Sequence, residues 1–329
     1  MQTQHAALLQ DQRGKSSHMV KIPCFRLSDV IAGAPDRVHP AFIVNGRQVS
    51  ALYISKYQNV VEDGLAYSLP GVAPQTHITL DQAAQACREK GEGWHLMTNA
   101  EWGALALWCR AQGIRPHGNT DHGVYFEEKS EAGKPAGDGR VLTGSGPVTW
   151  AHNGRADGIY DLCGNVWEWV AGLRLVNGQL QFTLDNDAAA GAAQWHAAAP
   201  DGTVTDAGSA DALCLDVEGN TPILRSGRLH PQNAVDDESF GECAGCGFDE
   251  LRAPQGITLP TELQAGAVVP DGQKGAVGAV WFRNYGVRGA ARGGSFSSED
   301  GCGLFSLSLL DPMSCANGLI GFRSAYVEF

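Results

Sequence analysis

The chain has 329 residues, of which 43% are hydrophobic, 18% charged and 8% aromatic, so it can bury the core of one large domain or two modest ones. Its formal net charge of −12, with 24 basic and 36 acidic residues and no basic cluster, excludes a nucleic-acid-binding surface, which needs clustered Lys and Arg. No apolar stretch approaches the roughly 18 residues of a membrane-spanning helix, and the polar N-terminus lacks the apolar core of a secretory signal.

The nine cysteines are an odd number scattered along the chain, which favours buried thiols in a reducing compartment over a disulfide framework. Cys243 and Cys246 form a single C-x-x-C pair with no second pair and no neighbouring His. A zinc or redox site is therefore less favoured there than a glycine-rich loop or one local disulfide.

The N-terminal third predicts a polar lead-in over residues 1–37, followed by two short apolar runs at 41–44 and 51–57. Asn45-Gly46 lies between these runs and predicts a hairpin turn. A first helix is predicted over 80–90, with Thr79 as its N-cap and a glycine at its end.

A second helix is predicted over 99–112, because Thr98 and Glu101 form a capping box in which each side chain bonds the other residue's amide. Its apolar residues recur at helical spacing, so one face should lie in the core. These residues are Trp102, Leu105, Ala106 and Cys109.

The second half of the chain has long glycine-rich stretches, and we expect a loop-rich insertion over about 173–288, with 180–184 as one of its short strands. Two helices, short strands and long loops together predict an α+β fold in a domain spanning 38–329. Long ordered loops are commonly functional.

Three segments resemble the formylglycine-generating-enzyme superfamily, whose fold is C-type-lectin-like. Trp94 to Trp102 resembles its "R-L-P-T-E-A-E-W" segment, and Gly158 to Trp169 resembles "G-L-Y-D-M-x-G-N-V-W-E-W". Arg292 to Phe296 with Ile320 to Arg323 resembles the closing "R-G-G-S-W … G-F-R". The order agrees, so the resemblance implies this fold over residues 40–329.

The resemblance also implies roles for single residues. Trp167 and Trp169 are expected as core aromatics, and Gly293 and Gly294 as positions of close packing or positive φ. Arg323 is expected to pair with a buried carboxylate or carbonyls. Superfamily members can place calcium ligands at the positions of Asn165 and Glu168, but one carboxylate is few for calcium, so the metal stays unknown and no other cofactor is expected.

Oxidases of this superfamily act through two cysteines in "G-G-S-x-x-C-x-x-x-x-C", which bind a soft metal and activate oxygen. Matching this motif places Ser298 and Gly303 at the two cysteine positions, and Cys302 is one residue out of register. No catalytic residue is therefore predicted. An oxidase with a displaced cysteine pair remains the alternative.

The C-terminal region 292–324 consists of two interleaved sets of residues. We call the first the tail frame; it comprises Arg292–Gly294, Gly303–Phe305, Leu307, Leu309 and Ile320–Arg323. The region resembles, without a gap, the variable region of target proteins of diversity-generating retroelements, in which a reverse transcriptase alters template adenines. The template asparagines fall on ten positions, here called the variable positions: Ser297, Ser298, Gly301, Ser308, Leu310, Asp311, Cys315, Asn317, Gly318 and Leu319.

All ten residues at the variable positions can arise from an AAC codon changed at its first two bases, although such residues are common. Ser314 and Ala316 also match the template, whereas Phe296, Glu299 and Met313 depart from it. Leu307 and Leu309 should anchor one face of a strand, with Ser308 and Leu310 directed outward.

The resemblance implies a non-catalytic protein that binds a macromolecular ligand, either a protein or a surface glycan, through the variable positions. Phage or prophage receptor-binding proteins and bacterial surface proteins both belong to this family. With no signal sequence seen, we expect a cytoplasmic or virion-associated chain that is not inserted in a membrane and can form a homo-oligomer. A virion component without any ligand is a further alternative.

Overall fold

The computed structural model describes residues 4–191, 194–235 and 237–328. In this part of the chain strands predominate over helices, and the expected α+β class is confirmed. The helices are α1 (Leu80–Arg88), α2 (Asn99–Ala111) and α3 (Thr261–Ala265). Among these helices of the described residues, none has the length and apolar character needed to cross a membrane.

Short strands run along the whole chain. Those of the first half are β1 (His5–Gln10), β2 (Ser16–Pro23), β3 (Ile43–Val44), β4 (Arg47–Gln48), β5 (Ala51–Ser55), β6 (Val60–Glu62), β7 (Leu65–Tyr67), β8 (Trp94–Leu96), β9 (Pro135–Gly137) and β10 (Arg140–Val141). Those of the second half are β11 (Trp167–Val176), β12 (Gln179–Thr183), β13 (Trp195–Ala198), β14 (Val204–Asp206), β15 (Leu213–Glu218), β16 (Thr221–Ser226), β17 (Ala234–Val235), β18 (Asp237–Gly241), β19 (Ala244–Gly247), β20 (Ala279–Phe282), β21 (Val287–Gly293), β22 (Gly303–Leu309), β23 (Ile320–Phe322) and β24 (Ser324–Tyr326).

The two predicted helices are confirmed, and each ends within two residues of its predicted boundary. In α1 the Thr79 hydroxyl accepts from the Gln82 amide at 3.2 Å, and the Gln82 side chain accepts from the Thr79 amide at 3.0 Å. In α2 Thr98 and Glu101 form the same reciprocal pair at 3.1 and 2.9 Å. The predicted core face of α2 is buried throughout. Local capping chemistry therefore determined both N-termini.

The predicted polar lead-in supplies two strands of a five-stranded sheet with the order β1-β2-β5-β24-β8. Strand β2 pairs antiparallel with β5, and its Met19, Val20 and Ile22 are buried. The sequence pattern missed these strands because Ser, His and Lys alternate with the apolar residues and make the segment look polar. The same sheet contains β24, so both ends of the chain meet in it.

The predicted turn at Asn45-Gly46 is confirmed, with φ of 49° and 72° as in a tight two-residue hairpin. It joins β3 to β4, whereas the second apolar run becomes β5 of the five-stranded sheet.

A larger sheet has the order β14-β13-β12-β11-β21-β22-β20-β19, with β23 also paired to β11 and β15–β16 attached through β12. The expected strand at 180–184 is confirmed as β12. Segment 173–288 joins this sheet at two places, where β12 pairs with β11 and β20 pairs in parallel with β22. It also contains α3, which begins after a proline and is too short for periodicity to reveal.

Candidate functional site

The three motif segments lie far apart in sequence but meet on the central strand β11. Glu168 on β11 is in register with Arg292 of antiparallel β21 on one side and with Gly321 of parallel β23 on the other. The segment that leads into α2 joins the same strand through a bridge between Thr98 and Ala171. The residues that carry the resemblance thus form one continuous structural unit.

Arg323 and Glu168 form a buried ion pair below the C-terminal segment. The guanidinium Nε and Nη2 of Arg323 donate to the two carboxylate oxygens of Glu168 at 2.5 and 2.6 Å. The remaining donors reach the carbonyls of Ser55, Tyr160 and Asp161. The expected structural role of Arg323 is confirmed, since planar guanidinium donors match a carboxylate in this way.

The carboxyl of Asp161 lies in the same buried region. Its Oδ2 accepts from the Gly144 amide at 2.8 Å. Burial raises the pKa of Asp161 to about 6, against the opposing effects of this hydrogen bond and of the Arg323 charge.

Arg292 is buried in a second network, which ties β21 to α2 and α3. Its Nε donates to the Asn99 side chain at 2.9 Å, and its terminal nitrogens donate to the carbonyls of Ala267 and Gly266 at 3.0 Å. Burial lowers the pKa of Arg292 to about 9.

The residues at the predicted calcium position do not fit a metal site. Both carboxylate oxygens of Glu168 accept from Arg323, and Gln58 donates a further bond to Glu168. The Asn165 side-chain oxygen accepts from the Asn119 side chain and the Val141 amide. Within the described residues, His, Cys, Asp and Glu form no group of three that could hold a metal ion.

The two expected core aromatics differ in burial. Trp169 is fully buried, and its indole N–H donates to the Ile78 carbonyl at 3.1 Å. Trp167 is half-buried and contributes its backbone amide to the Leu319 carbonyl. Gly293 and Gly294 have φ of 93° and 91°, so the expected need for glycine is confirmed there.

The second cysteine position of the oxidase motif is closed by backbone. A Cβ atom on Gly303 would lie 2.2 Å from the Val277 carbonyl oxygen, and the residue has a φ of 150°. No side chain fits there without a shift of the neighbouring chain. At the first position, the Ser298 hydroxyl accepts from the Ser295 amide at 3.1 Å. This backbone therefore cannot hold the motif's thiolate pair.

The tail frame is buried throughout, and β22 alternates as predicted. Leu307 and Leu309 lie in the main core, and Ser308 is directed to the opposite face. The expected exposure of Ser308 is wrong, since it is only 6% exposed. Strand β22 runs between two neighbouring strands, and the much larger Trp281 is in register beside the serine.

The first cluster of variable positions lies on the loop between β21 and β22. Ser297 is exposed, and Ser298 and Gly301 are partly exposed. This loop rests on residues 120–122 through main-chain bonds: the Glu299 amide donates to the Thr120 carbonyl, and the His122 amide donates to the Phe296 carbonyl.

The second cluster occupies the loop between β22 and β23, where every variable position is partly or fully exposed. Main-chain bonds hold this loop as well. The His77 amide donates to the Asn317 carbonyl at 2.9 Å, and the Gly289 amide donates to the Asp311 carbonyl at 3.0 Å. Arg283 donates to the Leu310 carbonyl at 2.9 Å.

Sequence reasoning missed two residues outside the C-terminal region that flank the variable positions. Trp281 on β20 is 38% exposed, lies beside Ser308 and has its indole nitrogen 3.9 Å from where a Cβ on Gly301 would lie. The His77 imidazole lies against Ala316 and Gly318. Both depend on long-range strand and loop pairing, for which the sequence has no local signal.

The C-x-x-C segment forms β19, with Cys246 on the strand and Cys243 exposed just before it. Both thiols are free. A strand thus replaces the expected loop at this position.

No protein-family model and no curated protein matches the chain. Among solved structures, it is similar to Treponema denticola variable protein 1, with 12% identity over 100% of both chains and a TM-score of 0.37. It is similar to the U1 variant of the Major Tropism Determinant, with 11% identity over 99% of this chain and 72% of that chain and a TM-score of 0.32. It is also similar to PvdO from Pseudomonas aeruginosa, with 14% identity over 99% and 100% of the chains and a TM-score of 0.36. Likenesses this distant do not bear on function, which has to be argued from the residues of this chain.

Proposed function

We propose that this chain is a non-catalytic binding protein with a C-type-lectin-like fold. Its variable positions form a recognition surface that a retroelement diversifies. The ligand is a macromolecule, either a protein or a surface glycan, and the protein acts on a virion or a cell surface.

One observation carries the proposal. All residues of the tail frame are buried, whereas every variable position except Ser308 is partly or fully exposed. The two sets alternate within one short segment, so the separation does not follow from overall hydrophobicity alone. Side chains at exposed positions can be exchanged at a cost of about 0.5 kcal/mol or less, so many surfaces can share one fold.

The hydrogen bonding of the two loops supports the same function. The bonds from His77, Gly289 and Arg283 are accepted by main-chain carbonyls of variable positions. A carbonyl remains an acceptor whatever side chain is attached to the residue. The loops can therefore keep their backbone while the displayed side chains change.

The displayed chemistry suits a macromolecular partner. Leu319 is 38% exposed and gives an apolar contact, while Trp281 offers an exposed aromatic at a position outside the diversified region. Aromatic residues in such positions often dominate binding energy. Burial raises the pKa of Asp311, and the nearby guanidinium groups of Arg283 and Arg288 act against this shift.

A genomic observation tests the diversification. We expect a near-copy of the DNA encoding residues 292–324 beside a reverse-transcriptase gene, with adenines at the variable positions. Sibling genes should differ at those codons and agree across the tail frame. A genome sequence with no such repeat would refute diversification and leave the binding role to be tested separately.

A displayed library tests binding. The variable positions are randomised with AAC-derived codons and selected against purified protein and glycan targets, with a matched library randomised at exposed residues 127–130 as the control. We expect binders to different targets to carry different residues at the variable positions and to share the tail frame. If binders arise equally from the control library, the proposed surface is wrong.

A further inference from the structure

Two buried thiols lie beneath the first variable loop, and the proposed function does not use them. Cys163 is in the central motif segment, and Cys302 closes the loop just before β22. Their segments are joined by main-chain bonds, because the Gly164 amide donates to the Gly293 carbonyl and the Phe296 amide donates to the Asn165 carbonyl, both at 3.0 Å.

Cys302 is held close under the loop. Its thiol donates to the Ser295 carbonyl at 3.3 Å, and a Cβ on Gly294 would lie 2.3 Å from its sulfur. Burial raises the pKa of the Cys302 thiol, and contact with the Cys163 thiol raises it further.

Both thiols line one cavity of about 390 Å³. Its wall also includes Arg115, whose side chain is 44% exposed, so the cavity reaches the surface. A third thiol in the wall, that of Cys109, donates to the His152 carbonyl at 3.3 Å and is thus directed to a different partner.

We propose that Cys163 and Cys302 are a redox-responsive pair, which closes to a disulfide by exchange with a low-molecular-weight disulfide such as oxidised glutathione. One cysteine thiolate attacks the glutathione disulfide and forms a mixed disulfide, releasing one glutathione thiol. The second cysteine thiolate then displaces the other glutathione. The protein loses two thiol protons and two electrons, and one oxidised glutathione becomes two reduced molecules.

The disulfide would tie the base of the loop that carries Ser297, Ser298 and Gly301 to the strand-forming motif segment. The variable surface would then be held more rigidly outside a reducing compartment than inside one. This inference depends on the cavity and the paired thiols, and it stands whether or not the loop binds a ligand.

The test uses the full chain equilibrated with oxidised and reduced glutathione, then alkylated and mapped by mass spectrometry without reduction. We expect a cross-linked Cys163–Cys302 peptide and the loss of two alkylatable thiols. Cys163→Ser and Cys302→Ser should abolish the cross-link, and Cys109→Ser, in the same cavity wall, should retain it. Because the reactive species is the thiolate, the exchange should accelerate as the pH rises from 7 to 9.

Mapping of the unaltered chain decides the matter even if a variant fails to fold. Glutathione attached to the exposed Cys243 while Cys163 and Cys302 remain alkylatable would overturn the proposal. A dominant cross-link through Cys109 would overturn it as well.

Discussion

Gly301 and Gly303 are two residues apart, yet they lie in opposite environments. Around Gly301, a variable position, a Cβ would meet nothing closer than an indole nitrogen at 3.9 Å. Around Gly303, in the tail frame, it would meet a carbonyl oxygen at 2.2 Å. The tail frame is held by close side-chain and backbone contacts, whereas the variable loops are held by main-chain hydrogen bonds that are independent of the side chain. Tolerance to substitution should follow this difference.

The largest effect is expected at the centre of the tail frame. Arg323→Met leaves Glu168 as a buried carboxylate without its partner, and we expect a loss of about 3–5 kcal/mol in the free energy of unfolding. Urea denaturation measures it. The double variant Arg323→Met/Glu168→Gln should recover part of the loss, and a single variant as stable as the parent would contradict the role of the pair.

The glycine comparison is tested directly by Gly303→Ala and Gly301→Ala. We expect Gly303→Ala to cost at least about 2 kcal/mol, because the new methyl group overlaps the Val277 carbonyl. Gly301→Ala should stay within about 0.5 kcal/mol of the parent. Thermal unfolding of the two variants side by side gives the difference, and equal losses would remove the distinction between the two sets.

A pH-dependent effect is expected for the buried Asp161. Its pKa is raised to about 6, so the folded state binds the proton more tightly than the unfolded chain does. Its contribution to stability is therefore present below pH 4 and is lost as the pH rises through 6. Asp161→Asn should stabilise the protein at pH 8 by up to ~3 kcal/mol and have little effect at pH 4.

Denaturant unfolding across this pH range measures the gain, with the exposed Asp300→Asn as the matched control. A gain for Asp161→Asn that is the same at pH 4 and pH 8 would show that the carboxyl does not titrate as described.

The smallest effect is expected at the surface of the second loop. Leu319→Ala should change stability by about 0.5 kcal/mol or less. The matched change Leu309→Ala, in the core, should cost about 2–5 kcal/mol. Chemical denaturation compares the two. A large loss from Leu319→Ala would mean that the second loop depends on its side chains for its structure.

Much of the fold was predictable where the signals are local. Thr98 and Glu101 are three residues apart, and capping chemistry acts over that distance. The alternation of Leu307 and Leu309 follows from strand geometry. Ser308 was predicted on the correct face but with the wrong exposure, because its burial depends on Trp281, a neighbour supplied by a distant strand.

The candidate site was only partly predictable for the same reason. The sequence separated the tail frame from the variable positions, but it contained no signal that His77 would lie beside Gly318. It also did not indicate that the chain's first strands would share a sheet with β24.

The sequence by itself determined the helix starts, the hairpin turn, the strand faces and the two interleaved sets of C-terminal residues, because each depends on neighbours a few positions away. Only the tertiary structure decided which residues surround each set: the carbonyl that closes Gly303, the carboxylate that holds Arg323 and the thiol beside Cys302. Those contacts join segments far apart in the chain, and they form only when the strands pair and the core excludes water.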